Sequence, residues 1–319
     1  MTSLLFITQS RIGDAVMCTG ALEHAIDMLG EPEVTIAGGP VGAEILRATP
    51  GLKRYHVLNK RALSGHWVEL LRAVRGERFD LAVDMRGTAT TLFTSAKRRI
   101  IYRRTPVIQR KVVEFSAMMG AHHPLAPRLH VDEKARADAL AAANVTGPVL
   151  ALAPGAEFTG KRWPEERFTA LAERLARPGG PLAGAKIILR CGPDDRELAE
   201  RISAALMEHG LDVLDLTERC DLLAYAAVLE RATLFVGNDT GPMHIAAAMG
   251  APTLGLFGPT DDRLYAPWGP RARALRGAPL AQVAARAPLR AAGSILMDDL
   301  TVDAVEAGAV ALLKGGGLA

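Results

Sequence analysis

One run of this sequence carries the chemistry for holding an anion. Residues 238–244 read Asn-Asp-Thr-Gly-Pro-Met-His and follow a short apolar run. Asp239 and Thr240 supply oxygens that could cap a helix beginning at Gly241. The free N–H groups of a helix start attract negative charge, so this run predicts an anion pocket. His244 falls one turn into that helix, although a lone helical histidine also fits a structural role.

A second run places a lysine ahead of a helix start. Residues 154–164 read Pro-Gly-Ala-Glu-Phe-Thr-Gly-Lys-Arg-Trp-Pro, and Gly155 to Lys161 match the first seven positions of a phosphate-binding P-loop. Arg162 stands where the magnesium-binding Ser or Thr belongs, and Pro164 places the helix start beyond the lysine. The P-loop match is therefore accidental. Lys161 could still bind an anion near the helix N-terminus, or it could be an ordinary solvated lysine.

A carboxylate follows the first apolar run. Residues 9–15 read Gln-Ser-Arg-Ile-Gly-Asp-Ala, and Gly13 allows a tight turn or a close approach to a ligand. Asp14 stands about where a helix begins. A capping residue and a catalytic carboxylate are both consistent with that position.

Several common site motifs are missing from the sequence. No G-x-G-x-x-G follows an apolar run, and no G-x-S-x-G, D-x-D or H-E-x-x-H occurs. A nicotinamide or flavin dehydrogenase, an α/β-hydrolase and a metal site on a diphosphate are therefore unsupported. We expect no metal and no cofactor.

A basic cluster lies within residues 97–111, which contain no acidic residue and only Tyr102 as an aromatic. Its members are Lys97, Arg98, Arg99, Arg103, Arg104, Arg110 and Lys111. A solvated basic face is one interpretation, and a dock for an anionic partner or membrane surface is the other. The lack of interleaved aromatics argues against a nucleic-acid platform.

The elements that must position these residues alternate between strand and helix. Near-continuous apolar runs predict parallel strands buried on both faces. The predicted strands are 4–8, 34–38, 55–59, 81–85, 99–103, 149–154, 186–191, 213–217, 234–238 and 253–257. Two doubly wound α/β domains of the Rossmann type follow, with ligands at the carboxyl ends of the strands in a cleft between them. We predict domains at 1–146 and 147–290, with a helix in 291–319 crossing back to the first domain.

Composition limits the class of protein. Of 319 residues, 49% are hydrophobic and 23% are charged, which excludes disorder and fibrous repeats. The three cysteines show no C-x-x-C spacing, which favours a reducing compartment. No signal peptide or membrane span is evident in the sequence, so we expect a cytoplasmic protein that could touch a membrane from that side.

Three of these runs together resemble glycosyltransferase family 9, the bacterial lipopolysaccharide heptosyltransferases. The resemblance rests on residues 11–14, on 154–156 with 161–164, and on 238–244 with 258–260. It implies a GT-B fold, an ADP-heptose donor, no metal requirement and an inverting transfer onto an anionic, lipid A–linked core acceptor.

The resemblance also implies roles for single residues. Asp14 resembles the family's general base, and Lys161 resembles the residue that holds the donor diphosphate. The implied sugar-diphosphate cradle comprises Asp239, Thr240, Gly241 and His244, and Asp194 stands near the place of a ribose contact. Expected on the acceptor side are Arg11, Gly13, Lys60, Arg61, Arg103 and Arg104. A nucleotide-sugar epimerase of the same fold and a non-catalytic sugar-nucleotide-binding protein are the alternatives.

Overall fold

A computed structural model describes residues 1–59, 65–88, 90–287 and 296–315 of the chain. The chain divides into two compact units, Met1–His130 and Val131–Ala319. Each unit is an α/β layer structure built on one parallel sheet. No helix within the described ranges is long and apolar enough to cross a membrane.

The first unit contains a five-stranded parallel sheet in the order β3-β2-β1-β4-β5. Its strands are β1 (Ser3–Ile7), β2 (Glu33–Gly38), β3 (Leu52–Val57), β4 (Arg78–Asp84) and β5 (Ser95–Ile101). Its helices are α1 (Ile12–Met17), α2 (Thr19–Leu29), α3 (Pro40–Ile45), α4 (Gly65–Ala73) and α5 (Lys111–Met118). The central strand β1 is buried almost throughout, as its continuous apolar run predicts.

The second unit contains a six-stranded parallel sheet in the order β11-β10-β9-β6-β7-β8. Its strands are β6 (Val149–Ala153), β7 (Lys186–Leu189), β8 (Val213–Asp215), β9 (Leu234–Asn238), β10 (Thr253–Phe257) and β11 (Ala272–Arg276). Its helices are α6 (Glu133–Ala142), α7 (Glu165–Ala176), α8 (Arg196–Glu208), α9 (Leu222–Leu229), α10 (Gly241–Ala248), α11 (Asp262–Tyr265), α12 (Leu280–Arg286) and α13 (Val302–Leu313). This strand order is that of a Rossmann sheet.

The boundary between the units lies earlier than the sequence predicts. The composition change near residue 146 suggested a break there, whereas the structure divides the chain after His130. Helix α6 therefore belongs to the second unit, where it packs against α9. Ala135 and Ala139 of α6 are buried, and small side chains of this kind allow close packing of a helix.

The C-terminal helix α13 packs within the second unit. Val305, Ala309 and Leu312 belong to the same buried cluster as the strands β6 and β9 and the helix α7. The crossing of this helix to the first domain stays a prediction. The apolar face of α13 is covered by α7 and by strands β9 to β11.

All ten predicted strands occur, with ends shifted by a few residues. Strand β11 was not predicted. It reads Ala-Arg-Ala-Leu-Arg and, among the described residues, pairs with β10 alone at the edge of the sheet, so it lacks the continuous apolar run of a central strand. Helix α7 begins at Glu165, directly after Pro164, so its start lies beyond Lys161 as Pro164 predicts. Gly250 ends α10 with a left-handed φ of 80°, as its position just beyond the helix predicts.

Candidate functional site

The loops that carry the two anion-binding motifs lie side by side in the second unit. Strands β6 and β9 are neighbours, and the chain leaves β6 towards β7 but leaves β9 towards β10. The carboxyl ends of two such diverging strands form a topological switch point, where parallel sheets bind ligands. Residues 154–164 follow β6, and Asp239 and Thr240 follow β9.

Lys161, Asp239 and His244 meet at this switch point. Lys161 ends a short 3-10 turn, Thr159–Lys161, and its Nζ lies 2.8 Å from Oδ2 of Asp239. Nε2 of His244 lies 3.9 Å from Oδ1 of the same carboxylate. The three side chains are only 16%, 8% and 6% exposed. The structure therefore brings together three residues to which the family resemblance assigns donor binding.

Burial determines the charge of His244. Desolvation, reinforced by the positive charge of Lys161 and opposed by Asp239, lowers the pKa of His244 to about 4. The imidazole is therefore neutral near pH 7 and offers one N–H donor and one acceptor nitrogen. Lys161 remains the group that can neutralise an anion in this cluster.

Helix α10 points its N-terminus at the same place. It begins at Gly241 after Thr240, which is extended at φ −147° and ψ 176°. The Thr240 hydroxyl donates to the carbonyl of Asn238 at 3.2 Å and makes no capping bond to the helix. The capping role predicted for Thr240 is therefore wrong. The first N–H groups of a helix lack acceptors within it and carry partial positive charge, which favours an anion here.

Asn238 ties the two loops together and was missed as a site residue. Its Nδ2 donates to the carbonyl of Pro154 at 2.6 Å, and its Oδ1 accepts from the backbone N–H of Trp163 at 3.1 Å. The side chain is fully buried. One amide thus fixes both ends of the segment that carries Lys161. The only signal in the sequence was a polar residue ending a buried apolar run.

A buried carboxylate supports the start of the same loop. Asp195 accepts from the backbone N–H of Ala156 at 3.1 Å and forms an ion pair with Arg162. Burial raises the pKa of Asp195, and Arg162 opposes that rise. A Cβ at Gly155 would lie 2.6 Å from Oδ2 of Asp195, so only glycine leaves room for this contact.

Asp194, the residue expected near a ribose, is exposed at the carboxyl end of β7. Its neighbour Asp195 is the carboxylate that holds the loop after β6. The two adjacent acids therefore differ in role: Asp195 has partners within the protein, and Asp194 faces solvent beside the switch point.

In the first unit, Asp14 also follows a strand at a switch point. Strands β1 and β4 are neighbours, and the chain continues from them in opposite directions. Asp14 is the third residue of α1, whose N-cap is Arg11, so Asp14 is not the capping residue. It is partly exposed, as is Gly13, and Arg11 is exposed. Its negative charge raises the pKa of the buried Cys18 thiol further than burial alone.

The loop after β1 is fastened to the loop after β4. The Gln9 side chain donates to the carbonyl of Met85. Asp84, which is fully buried at the end of β4, accepts from the backbone N–H groups of Arg86 and Thr88, both at 2.9 Å. The segment that leads into α1 and Asp14 is therefore attached to the hydrogen-bonded loop after β4.

The basic cluster of residues 97–111 separates into members with different partners. Lys97 pairs with Asp80 at 2.6 Å, Arg99 donates to the carbonyls of Thr91 and Thr94, and Lys111 pairs with Glu114 at 2.5 Å. Charged side chains on the edge strand β5 also protect its free edge from pairing with other chains.

The expected acceptor residues fall in different places. Arg103 and Arg104 are exposed in the segment that follows β5. Lys60 and Arg61 lie outside the described residues. Over the described ranges, no group of three His, Cys, Asp or Glu side chains is arranged to hold a metal ion.

Comparison with known proteins gives one family. The sequence profile of glycosyltransferase family 9 (heptosyltransferase) matches residues 70–288. Lipooligosaccharide heptosyltransferase 2 of Haemophilus influenzae is 34% identical over 131 residues, which are 40% of this chain and 36% of that protein. The match thus spans about a third of the length of that curated relative.

Solved structures show the same fold over nearly the whole chain. The E. coli ADP-heptose lps heptosyltransferase II superposes with a TM-score of 0.78 at 21% identity, covering 98% of this chain and 99% of that chain. The E. coli heptosyltransferase WaaC with ADP gives a TM-score of 0.72 at 19% identity, covering 98% and 100%. These likenesses identify the architecture as GT-B.

Proposed function

The chain belongs to glycosyltransferase family 9, the heptosyltransferases, and from this premise we propose that it transfers a heptose or a related sugar from an ADP-sugar to a lipopolysaccharide core acceptor. The transfer inverts the anomeric centre and needs neither metal nor cofactor. The second unit binds the donor, and the first unit supplies the base and the acceptor contacts.

The donor proposal is carried by the cluster of Lys161, Asp239 and His244 at the N-terminus of α10. Transfer leaves a nucleoside diphosphate whose negative charge grows as the sugar–oxygen bond breaks. A lysine and helix N–H groups fixed in a largely buried place stabilise that charge without reorganisation. The neutral His244 contributes a hydrogen bond to an oxygen of the ADP-sugar and adds no charge.

The acid–base step is assigned to Asp14. The acceptor hydroxyl oxygen forms a bond to the anomeric carbon, while the bond from that carbon to the diphosphate oxygen breaks. The diphosphate leaves with the electron pair, and Asp14 takes the hydroxyl proton. A carboxylate suits this role because its oxygens accept without competing donor hydrogens.

The remaining residues of the first unit are assigned to the acceptor side. Arg11 and Gly13 precede Asp14 on the same turn, and Arg103 and Arg104 offer positive charge to a phosphorylated acceptor. Asp194 is assigned to the donor ribose. We place the reaction in the cytoplasm, at the inner face of the membrane that would hold a lipid-linked acceptor.

The test combines donor selection with transfer. Thermal unfolding is measured with ADP-, UDP- and GDP-sugars, since a ligand at 100 times its Kd stabilises by about 2.7 kcal/mol. ADP-heptose is then incubated with heptose-deficient lipopolysaccharide, and the mass of the acceptor and ADP release are followed. Mass gain of one sugar with equal ADP release supports the proposal. Conversion of the nucleotide sugar without acceptor would instead support an epimerase, and binding without turnover a non-catalytic protein.

A further inference from the structure

Exposed apolar side chains flank the basic edge strand β5 of the first unit. Leu92 and Phe93, just before β5, are 60% and 75% exposed. Val107 and Ile108, a few residues after it, are 60% and 58% exposed. Arg103 and Arg104, which are also exposed, precede the second pair. We call these six residues the β5-edge surface.

Apolar side chains exposed in adjacent pairs are unusual on a protein surface. A soluble surface tolerates single apolar side chains, but adjacent exposed pairs beside arginines mark an interaction site. The charges of β5 itself are explained by edge protection and by partners such as Asp80. Neither explanation applies to two exposed apolar pairs, because apolar side chains neither protect a strand edge nor neutralise Asp80.

The segment that carries the second pair is held at its base. Tyr102 donates to Glu114 at 2.7 Å, and the backbone N–H of Thr105 donates to the same carboxylate at 3.3 Å. Glu114 is 5% exposed, and Lys111 pairs with it at 2.5 Å. Although burial alone would raise the pKa of Glu114, the hydrogen bonds from Lys111 and Tyr102 hold it below its usual value. The ionised Glu114 carboxylate therefore holds the chain at Tyr102 and Thr105, just before the exposed Val107 and Ile108.

We propose that the β5-edge surface docks on an anionic phospholipid bilayer, with Phe93, Val107 and Ile108 entering the interface and Arg103 and Arg104 binding headgroup phosphates. The seven residues of β5, which lie between the two apolar pairs in the chain, span roughly 20 Å at ~3.3 Å per residue. A bilayer offers a continuous surface of apolar and anionic groups over that span. Apolar side chains bordered by Arg are the combination that interfacial membrane segments use.

The proposal rests on the proposed function only in the choice of membrane, which is the one that would hold the lipid-linked acceptor. Docking itself needs neither the sugar donor nor the acceptor. The probe is therefore a vesicle of phosphatidylethanolamine and phosphatidylglycerol without lipopolysaccharide, and its control is a vesicle of phosphatidylcholine. Sedimentation of the full chain should show binding to the anionic vesicles that weakens with salt. Lack of binding to anionic vesicles would overturn the proposal while leaving the transfer reaction untouched.

Two paired substitutions test the residues. Val107→Ser/Ile108→Ser should weaken anionic-vesicle binding about tenfold through the loss of inserted apolar surface. Arg103→Gln/Arg104→Gln should weaken it by a factor of about 25, because each arginine near an anionic surface contributes about fivefold. Matched controls are Leu140→Ser/Met207→Ser, equally exposed in the second unit, and Arg72→Gln/Arg75→Gln, exposed in the first.

The controls should bind vesicles like the parent. Equal losses in test and control variants would mean that general charge or apolarity drives binding, and the proposal would fail. Parent binding that appears only when heptose-deficient lipopolysaccharide is included would also overturn it, and would assign the two arginines to the acceptor alone.

Discussion

The Oδ1 atom of Asn238 lies 3.1 Å from the backbone nitrogen of Trp163 and joins the loops that follow β6 and β9. The same amide donates to the carbonyl of Pro154, so the segment carrying Lys161 is fastened at both ends by one buried side chain. Preorganisation of this kind keeps the lysine in place before any charge develops on a leaving group.

Replacing Asn238 tests this fastening. Asn238→Ala leaves a buried N–H and a buried carbonyl unsatisfied, at a cost of about 1–3 kcal/mol each. We expect the free energy of unfolding in urea to fall by about 2–6 kcal/mol and kcat/KM for the donor to fall as well. Asn144→Ala, on an exposed loop of the same unit, should change neither. Unchanged kcat/KM in folded Asn238→Ala would show that the loop positions Lys161 without this tie.

In the proposed reaction Lys161 supplies the main positive charge beside the donor diphosphate, and Lys161→Ala removes it. Because the negative charge of the leaving diphosphate grows in the transition state, kcat/KM should fall about 10²–10³-fold, with weaker ADP binding by calorimetry. Lys186→Ala, which removes a lysine paired with Asp212 elsewhere in the unit, serves as the control and should retain activity.

The single substitution also leaves the carboxylate of Asp239 buried without its partner, which could destabilise the fold. The double variant Lys161→Met/Asp239→Asn removes both charges together. It should remain folded by thermal unfolding and should still bind ADP poorly. Near-parent ADP affinity in the double variant would contradict the role of Lys161.

Chelator treatment tests the metal-free reaction. The proposed stabilisation of the leaving group uses Lys161 and the N-terminus of α10, so transfer should be unchanged after dialysis against EDTA. Added magnesium should alter the rate less than about twofold, since the cation has no structural part in the step. Loss of activity in EDTA and its recovery with magnesium would refute this mechanism.

Asp14→Asn tests the base. The amide keeps the size of the side chain but cannot take the hydroxyl proton, so the transfer rate should fall by about 10²–10⁴. Asp14 lies in the first turn of α1, where a carboxylate contributes at most about 1 kcal/mol through the helix dipole. The variant should therefore fold and bind ADP like the parent.

The control for the base is Asp27→Asn, which changes an exposed carboxylate on α2 of the same unit. It should retain full turnover. If Asp14→Asn retained turnover too, another group would be the base, and if it unfolded, Asp14 would be a structural residue.

His244 predicts a pH dependence of stability. Its pKa is about 4 in the folded protein and about 6.5 in the unfolded chain. Between these values the unfolded chain binds a proton that the folded protein does not, so stability is full above about pH 6.5 and falls as the pH decreases towards 4.

The comparison variant is His244→Gln, which cannot titrate. Between about pH 7.5 and about pH 4.5 the parent should lose about 2–3 kcal/mol more unfolding free energy than this variant, measured in urea. His209→Gln, which changes a half-exposed histidine, should follow the parent. Parallel pH profiles for the parent and His244→Gln would show that the burial of His244 does not lower its pKa.

Much of the fold could be predicted from the sequence because parallel strands buried on both faces leave continuous apolar runs. Strand β11 and helix α6 lack that signal: one alternates arginine with apolar residues at a sheet edge, and the other is rich in alanine with no strong apolar stripe. Their places depend on packing partners that are distant in sequence.

The site was predictable to the level of loops. The family resemblance assigned Lys161 and Asp239 to one donor diphosphate, and the structure shows them in contact because the strands that precede them are neighbours. The roles of Asn238 and Asp195 depend on which backbone groups their side chains reach, and no spacing rule reveals that. Thr240 shows the reverse case, since its residue type suggested a helix cap but its hydroxyl donates to the carbonyl of Asn238, which precedes it in the chain.

Because Lys161 is paired with Asp239 within the folded chain, the diphosphate of the proposed donor would meet a nearly neutral couple and not a lone cation. We expect bound ADP to share the ammonium with this carboxylate, which would limit how tightly the product is held and favour its release. Removing the Asp239 charge while keeping Lys161 would strengthen ADP binding and turn the product into an inhibitor.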